Sequence, residues 1–232
     1  MLAPQPTAAW SLRGDDSLAS LHGGAPMSLH GSQCLHNQST DGLLLGPVCF
    51  ATTPHSPSLV LGAASFSACL RFRTDAAGIP LLSKFGPPAA AALNYHLRRG
   101  IAVAIADGGR GIGVSFADSV GVSAFEELNG RGVLVDGRWH HTCVVLQRAT
   151  HAPSLTLYID GHSTERQSLR ATRLLRMGSL DTCAPLVLGR GPGADLDGDV
   201  DASVGGRRWH ASIGEVAIWT RALLPEHVAS LA

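Results

Sequence analysis

The sequence predicts an all-β protein of two packed antiparallel sheets, a β-sandwich with jelly-roll connections and one short C-terminal helix. Three observations lead to this prediction. From about residue 43 onward, short segments alternate between apolar and polar residues. The 27 glycines and 13 prolines among the 232 residues supply the turns that many short strands need. Hydrophobic residues make up 45% of the chain, which suits one large core.

The strands are predicted from their alternation. The clearest one runs from Ser65 to Arg73. A hairpin is predicted from the runs at 101–106 and 112–116, because Asp107-Gly108-Gly109 between them tolerates positive φ. A helix is predicted from Pro225, since proline at the first helical position loses no hydrogen bond. The remaining predicted strands are 139–146, 155–159 with Leu155, Leu157 and Ile159 facing inward, 186–188 and 213–219.

The first 42 residues have a different pattern from the rest. They are rich in Ser, Gly, His, Gln and Pro, and their apolar residues keep no sustained period. This part is therefore predicted to be a loosely ordered arm with at most one strand. A single sandwich domain is predicted to follow at 43–232.

Charge and cysteine content limit the classes of function. The 18 basic and 18 acidic residues balance, which argues against a nucleic-acid-binding or polybasic membrane-surface protein. No apolar run reaches the ~18 residues of a membrane span, and residues 1–24 lack the apolar core of a secretory signal. The five cysteines are odd in number and scattered, which favours a reducing, intracellular compartment and leaves one or two disulfides open.

Several strings, taken in order and spacing, resemble a known family. Together they resemble a laminin-G-like domain of the concanavalin A-like lectin/glucanase superfamily over roughly 43–232. The strings are Ser65-Phe66-Ser67-Ala68 with Leu81-Leu82-Ser83-Lys84, Asp136-Gly137-Arg138-Trp139-His140-His141, Leu155-Thr156-Leu157-Tyr158-Ile159-Asp160-Gly161, Pro185-Leu186-Val187-Leu188-Gly189, and Ile213-Gly214-Glu215-Val216-Ala217-Ile218-Trp219-Thr220-Arg221-Ala222-Leu223.

The resemblance implies that these strings form the fold and are not a catalytic site. Trp139 is expected to fill the space between the two sheets, and the string ending in Asp160-Gly161 is expected to close a tight hairpin. The expected signature residues are Trp139, His140, Tyr158, Asp160, Gly161 and Gly214.

Catalysis is not favoured by the residues present. Retaining glycosidases need two carboxyl groups about 5 Å apart, and no Glu-x-Asp-x-x-Glu pattern occurs. Glu126 and Glu127 are adjacent, which sends them to opposite faces of a strand. Gly-x-Ser-x-Gly is also absent. A glycoside hydrolase remains a distant alternative.

An acidic loop is the candidate metal site. Alternating carboxylates around a glycine resemble the hard-oxygen clusters that calcium prefers, and a solvated acidic loop is the alternative. The resemblance adds that laminin-G-like domains often carry calcium at the rim of the sandwich. The candidate ligands are Asp195, Asp197, Asp199 and Asp201.

These observations predict a non-catalytic binding module that recognises a carbohydrate or a protein surface through its edge loops, with calcium as a candidate cofactor. Trp209 is expected to be exposed beside the acidic loop and to stack on a sugar, with Arg207 and Arg208 as further ligand contacts. The alternative is a protein-interaction domain of a larger intracellular protein, similar to the laminin-G-like domains of BEACH-type trafficking scaffolds. Neither nucleic acid nor membrane insertion is expected.

Overall fold

The structure is a computed structural model of the 232-residue chain. It describes residues 2–13, 18–31, 42–86, 99–118, 123–129, 132–148, 154–167, 178–191 and 209–232.

The described residues contain fifteen strands, one 3₁₀ turn and one α-helix. The strands are β1 Ala8–Ser11, β2 Ser20–His22, β3 Ser28–His30, β4 Leu43–Leu45, β5 Phe50–Thr53, β6 Phe66–Thr74, β7 Pro80–Gly86, β8 Arg99–Ile105, β9 Gly111–Ala117, β10 Ser123–Asn129, β11 Trp139–Gln147, β12 Ser154–Ile159, β13 His162–Gln167, β14 Leu186–Leu188 and β15 Ala211–Trp219. The 3₁₀ turn is Pro57–Leu59, and helix α1 is Pro225–Ala229.

The strands form two antiparallel sheets, which confirms the predicted sandwich. The eight-stranded sheet has the order β13-β12-β11-β6-β15-β1-β2, with β4 also paired to β15. The seven-stranded sheet has the order β10-β9-β8-β7-β14-β5-β3. Non-consecutive neighbours such as β6 and β15 require long crossovers between the sheets, as expected for a jelly roll.

The core lies between the sheets and follows the predicted alternation. On β6, Phe66, Ala68, Leu70 and Phe72 face inward and are buried. The predicted inward residues of β12 also lie in this core. Alternation places the other residues of these strands on the outer faces, where the candidate site is found. The predicted hairpin is β8–β9, and the predicted helix begins at Pro225 as expected.

The N-terminal segment differs from its prediction as a loosely ordered arm. Its described part is not a loose arm, because β1, β2 and β3 belong to the two sheets. Strand β1 pairs along its whole length with β15 near the other end of the chain, from Ala8 opposite Ile218 to Ser11 opposite Glu215. Trp10 is buried in the core and its Nε1 donates to Ala25 O at 2.9 Å.

Two of the expected signature residues, Gly161 and Gly214, lie at positions where the backbone favours glycine. Asp160 and Gly161 form the tight β12–β13 turn with φ of 49° and 78°, as predicted, and glycine adopts this left-handed region without strain. Gly214 lies where the register of β15 against β6 shifts between Ile213 and Glu215. Such a β-bulge is a common position for glycine within a strand.

Cysteine pairing settles an alternative that the sequence left open. Cys69 on β6 lies directly opposite Cys143 on β11, and the two form a disulfide. Cys49 is also disulfide-bonded, whereas Cys183 is free and exposed. The Cys69–Cys143 disulfide lies on the outer face of the eight-stranded sheet, because its neighbours Ala68 and Val144 face the core.

Candidate functional site

Several predicted site residues lie outside the described part of the chain. These are the four candidate calcium ligands Asp195, Asp197, Asp199 and Asp201, and the predicted ligand contacts Arg207 and Arg208. The calcium site and the basic contacts therefore stay predictions.

Trp209 is described, and its predicted exposure is wrong. The residue is 7% exposed and belongs to the main core between the sheets. It comes two residues before β15 begins at Ala211, which is buried in the same core. Its indole is therefore not available to stack on a sugar in this conformation.

The outer face of the eight-stranded sheet has two unlike halves. One half is covered by the C-terminal segment, in which Trp219, Leu223 and Val228 pack against the disulfide and Tyr158. We call this segment, residues 219–232, the C-terminal cover. Its helix has Leu224 in place of a polar N-cap residue, and the Leu224 N–H donates to His227 Nδ1 at 3.3 Å. The other half carries charged and aromatic side chains.

The second half of this outer face is centred on Trp139. Trp139 lies opposite Arg73 in the β11–β6 register and is half-buried on this outer face, so the prediction that it fills the space between the sheets is wrong. The guanidinium carbon of Arg71 is 4.4 Å from the ring centroid, and that of Arg73 is 5.1 Å away. Both distances are within the range of cation–π attraction. We call Trp139, Arg71 and Arg73 the Trp139 patch.

A glycine and an ion pair border the Trp139 patch. A Cβ atom on Gly42 would come within 2.7 Å of Cη2 of Trp139, so only glycine lets the ring lie this close to the chain. Glu215 lies opposite Arg71 in the β15–β6 register, and its carboxylate is 2.7 Å from Arg13 Nη2. This contact places a carboxylate that is already paired beside the patch.

A hydrogen-bond network fixes the loops next to Trp139. His140 Nδ1 is 3.0 Å from Asp160 Oδ2, and His140 Nε2 is 3.1 Å from Asp136 Oδ1. The His141 N–H also donates to Asp160 Oδ1 at 2.8 Å. The hydrogen bond from the Arg138 backbone N–H, aided by His140, lowers the pKa of Asp136. The loop before β11 and the β12–β13 turn are thus held together beside the patch.

His141 lies between the Trp139 patch and the disulfide. Its Nε2 is 3.9 Å from Cys143 Sγ. Burial lowers the pKa of His141, and Arg71 lowers it further, against the opposing effect of Asp160 and Glu215. The uncharged imidazole is therefore favoured at this position.

Part of this site follows from the sequence alone. The alternation on β6 separated Arg71 and Arg73 from the inward residues, but it did not pair them with Trp139. The basic content also carries a signal: of the 18 basic residues only Lys84 is a lysine, and Lys84 is buried. Every other basic side chain is arginine, whose planar fork binds carboxylates and other anions in a bidentate manner.

The family follows from a comparison with family models. The Laminin_G_3 model, described as "Concanavalin A-like lectin/glucanases superfamily", matches residues 50–229. The chain belongs to this family. The match confirms the resemblance seen in the sequence, and no curated protein matches this laminin-G-like chain.

Solved structures share the fold of this laminin-G-like chain at low sequence identity. The binding domain of botulinum neurotoxin serotype G matches with a TM-score of 0.68 and 15% identity, covering 98% of this chain and 50% of that one. The binding domain of Paraclostridial Mosquitocidal Protein 1 matches with a TM-score of 0.65 and 14% identity, covering 97% and 51%.

A botulinum neurotoxin type C structure, from work on cell entry that depends on two ganglioside molecules, matches with a TM-score of 0.66 and 12% identity. The match covers 97% of this chain and 50% of the neurotoxin chain. The laminin-G-like chain thus spans about half the length of each of these three chains.

The family and these neighbours identify a concanavalin A-like, lectin-like sandwich fold. Within the described ranges, no helix has the length and apolar character needed to cross a membrane.

Proposed function

We propose that this laminin-G-like domain is a non-catalytic module that binds carbohydrate through the Trp139 patch. The observation that carries the proposal is the half-buried Trp139 with two guanidinium groups over its ring on an outer face of the sandwich. An indole offers an apolar surface to the C–H face of a sugar ring. Guanidinium groups donate hydrogen bonds to hydroxyl and carboxylate oxygens.

Preorganisation supports this assignment. The network of Asp136, His140 and Asp160 holds the neighbouring loops, so that little ordering would be needed when a ligand binds. The fold neighbours support it as well, since one of them is described by its interaction with gangliosides.

A protein surface is the second candidate ligand. Tryptophan and arginine are also the residues most enriched at protein–protein hot spots, so the patch itself suits either ligand. The disulfides weigh against the intracellular-scaffold version of this candidate. Disulfides persist in oxidising compartments and are rare in the cytosol, and they favour an exported location.

Substitution of Trp139 tests the proposal. Trp139→Ala is expected to weaken binding of the best ligand from a panel of neutral and anionic oligosaccharides by about tenfold, because an aromatic contact and its buried area are lost. Arg73→Ala is expected to weaken the binding of anionic oligosaccharides more than the binding of neutral ones. Binding is measured by calorimetry on the whole chain.

The matched control is Arg110→Ala, which removes an exposed arginine in the turn between β8 and β9 of the other sheet. Its affinity is expected to equal that of the unmodified chain. An unchanged affinity of a folded Trp139→Ala variant would remove the patch from the binding site. Failure of every oligosaccharide to bind would favour the protein ligand.

Calcium assistance is a separate proposal. We expect calcium to raise the melting temperature, and the rise to vanish in the Asp197→Asn/Asp199→Asn variant, because carboxylates are the ligands that calcium prefers. Thermal unfolding with calcium and with chelator measures this. A calcium effect that persists in the variant would place the ion elsewhere, and the absence of any effect would favour the solvated loop.

A further inference from the structure

Three side chains with metal-ligating atoms meet beside the Trp139 patch. Cys69, His141 and Cys143 each offer one ligand atom, and these atoms all lie within 4.8 Å of one another. Among the described residues, this is the group of three or more such side chains that could hold a metal ion. The β6–β11 register explains the arrangement, because Cys69 lies opposite Cys143 and His141 is two residues before Cys143 on the same face.

The ring of His141 is not committed to a strong hydrogen bond within the described structure. Its Nε2 faces the sulfur of Cys143 at 3.9 Å, and sulfur is a weak hydrogen-bonding partner. Its Nδ1 is buried and has no hydrogen-bond partner. With the ring proton on Nδ1, the lone pair of Nε2 faces the sulfur of Cys143 and is available for a metal.

The spacing suits tetrahedral coordination. With Zn–S bonds of about 2.3 Å and Zn–N bonds of about 2.0 Å, a tetrahedral site separates sulfur from nitrogen by ~3.5 Å and sulfur from sulfur by ~3.8 Å. The distance from His141 Nε2 to Cys143 Sγ is already close to the first value. The two sulfurs need only the separation that follows when their disulfide is reduced.

We propose that Cys69, Cys143 and His141 form a redox-gated site for a thiophilic cation of the zinc class. A dithiol reductant supplies two electrons and two protons, the S–S bond breaks to give two thiols, and the dithiol becomes a disulfide. The cation then displaces the two thiol protons to solvent and binds both thiolates and the His141 nitrogen, with water as fourth ligand. A disulfide of another molecule then takes two electrons from the two thiolates and two protons from solvent and becomes two thiols, while the Cys69–Cys143 bond forms again and the ion is released.

Burial defines the approach to this site. Cys69 and Cys143 are buried, and the C-terminal cover packs over the disulfide through Trp219, Leu223 and Val228. His141 is half-buried and lies two residues from the half-buried Trp139 on the same face of β11. A reductant or an ion therefore approaches from the side of His141. This inference is independent of carbohydrate binding, because it rests on the cysteines and His141 and not on Trp139.

Cobalt binding to the reduced full-length chain tests the proposal. In a Cys183→Ser background, treated with a phosphine reductant, Co²⁺ is expected to give a thiolate-to-metal charge-transfer band that saturates at one ion per chain. The oxidised protein is expected to give no such band. His141→Gln is expected to lower the affinity for Co²⁺ by at least about tenfold, since even changes outside the ligand shell cost 10–100-fold in metal affinity.

Two matched variants separate this site from others. His162→Gln removes an exposed histidine from the start of β13 and is expected to bind Co²⁺ like the background protein. Cys49→Ser removes the other described disulfide cysteine and is expected to keep the band. Absence of the band in the reduced protein, survival of the band in Cys69→Ser/Cys143→Ser, or equal affinities of the His141 and His162 variants would overturn the proposal.

Discussion

Replacing Cys69 and Cys143 by alanine is expected to lower the free energy of unfolding by about 4 kcal/mol. The two residues are 74 positions apart, and the cross-link restricts the unfolded chain by an amount that grows with the length of the closed loop. For a chain of this size, such a loss lowers the melting temperature by about 10 °C. The substitution also places two small side chains beneath the C-terminal cover, against Trp219 and Leu223.

Denaturant unfolding of the oxidised protein and of the double-alanine variant measures this effect. Cys183→Ala is the matched control, because Cys183 is free and exposed and its loss should leave the unfolding midpoint unchanged. Thiol alkylation of the folded, unreduced chain should modify Cys183 and leave Cys69 and Cys143 unmodified. A loss of stability below about 1 kcal/mol would contradict the loop-closure argument.

The local pattern of the sequence predicted the strands that alternate over several residues. The strand expected at Ser65–Arg73 is β6 at Phe66–Thr74, and that expected at 213–219 is β15 at Ala211–Trp219. Both are long and half-buried, so period two is visible along one strand without knowledge of its neighbours. The order of such strands also carried the family resemblance.

The N-terminal strands could not be predicted in the same way. Strands β1, β2 and β3 have three or four residues each, too few to establish a period. Strand β1 is stabilised by pairing with β15, which lies more than 200 residues later in the chain. This long-range pairing overrides the weak local preference.

The candidate site was predictable in part for a related reason. Alternation placed Arg71 and Arg73 together on one face of a strand, but the face of Trp139 depends on the β6–β11 register. A one-residue shift of register would turn Trp139 to the other side of the sheet. The burial of Trp209 was not predictable, because it stands just before β15 and outside any alternating segment.

Raising the pH from about 8 to about 10 is expected to stabilise the folded protein through Lys84. Burial lowers the pKa of this lysine to about 8, against the opposing attraction of Asp181. Lys84 is 1% exposed, and its ammonium donates to Thr182 O at 2.7 Å, to Ala184 O at 3.1 Å and to His55 Nδ1 at 3.2 Å. These three acceptors replace water only in part, so burial still favours the uncharged amine.

The sign follows from the two pKa values. Between the native value of about 8 and the ordinary value of 10.5, the unfolded chain keeps a proton that the native chain has released, so stability rises with pH. Below pH 8 both states are protonated and the contribution of Lys84 is constant. At about 1.4 kcal/mol for each pKa unit, the full rise is at most about 3 kcal/mol.

The variant Lys84→Met isolates this contribution, because Lys84 is the sole lysine of the chain and no other lysine titrates in this range. Urea unfolding of the unmodified protein between pH 7 and 10 should show the rise, and Lys84→Met should be nearly flat once the Cys183 thiol is removed from both chains as Cys183→Ser. The methionine variant fills a similar volume but leaves the Thr182 and Ala184 carbonyls without their donor, so we expect it to be less stable at every pH. An equal rise in both proteins would assign the pH dependence to other groups and would show that Lys84 keeps its proton throughout.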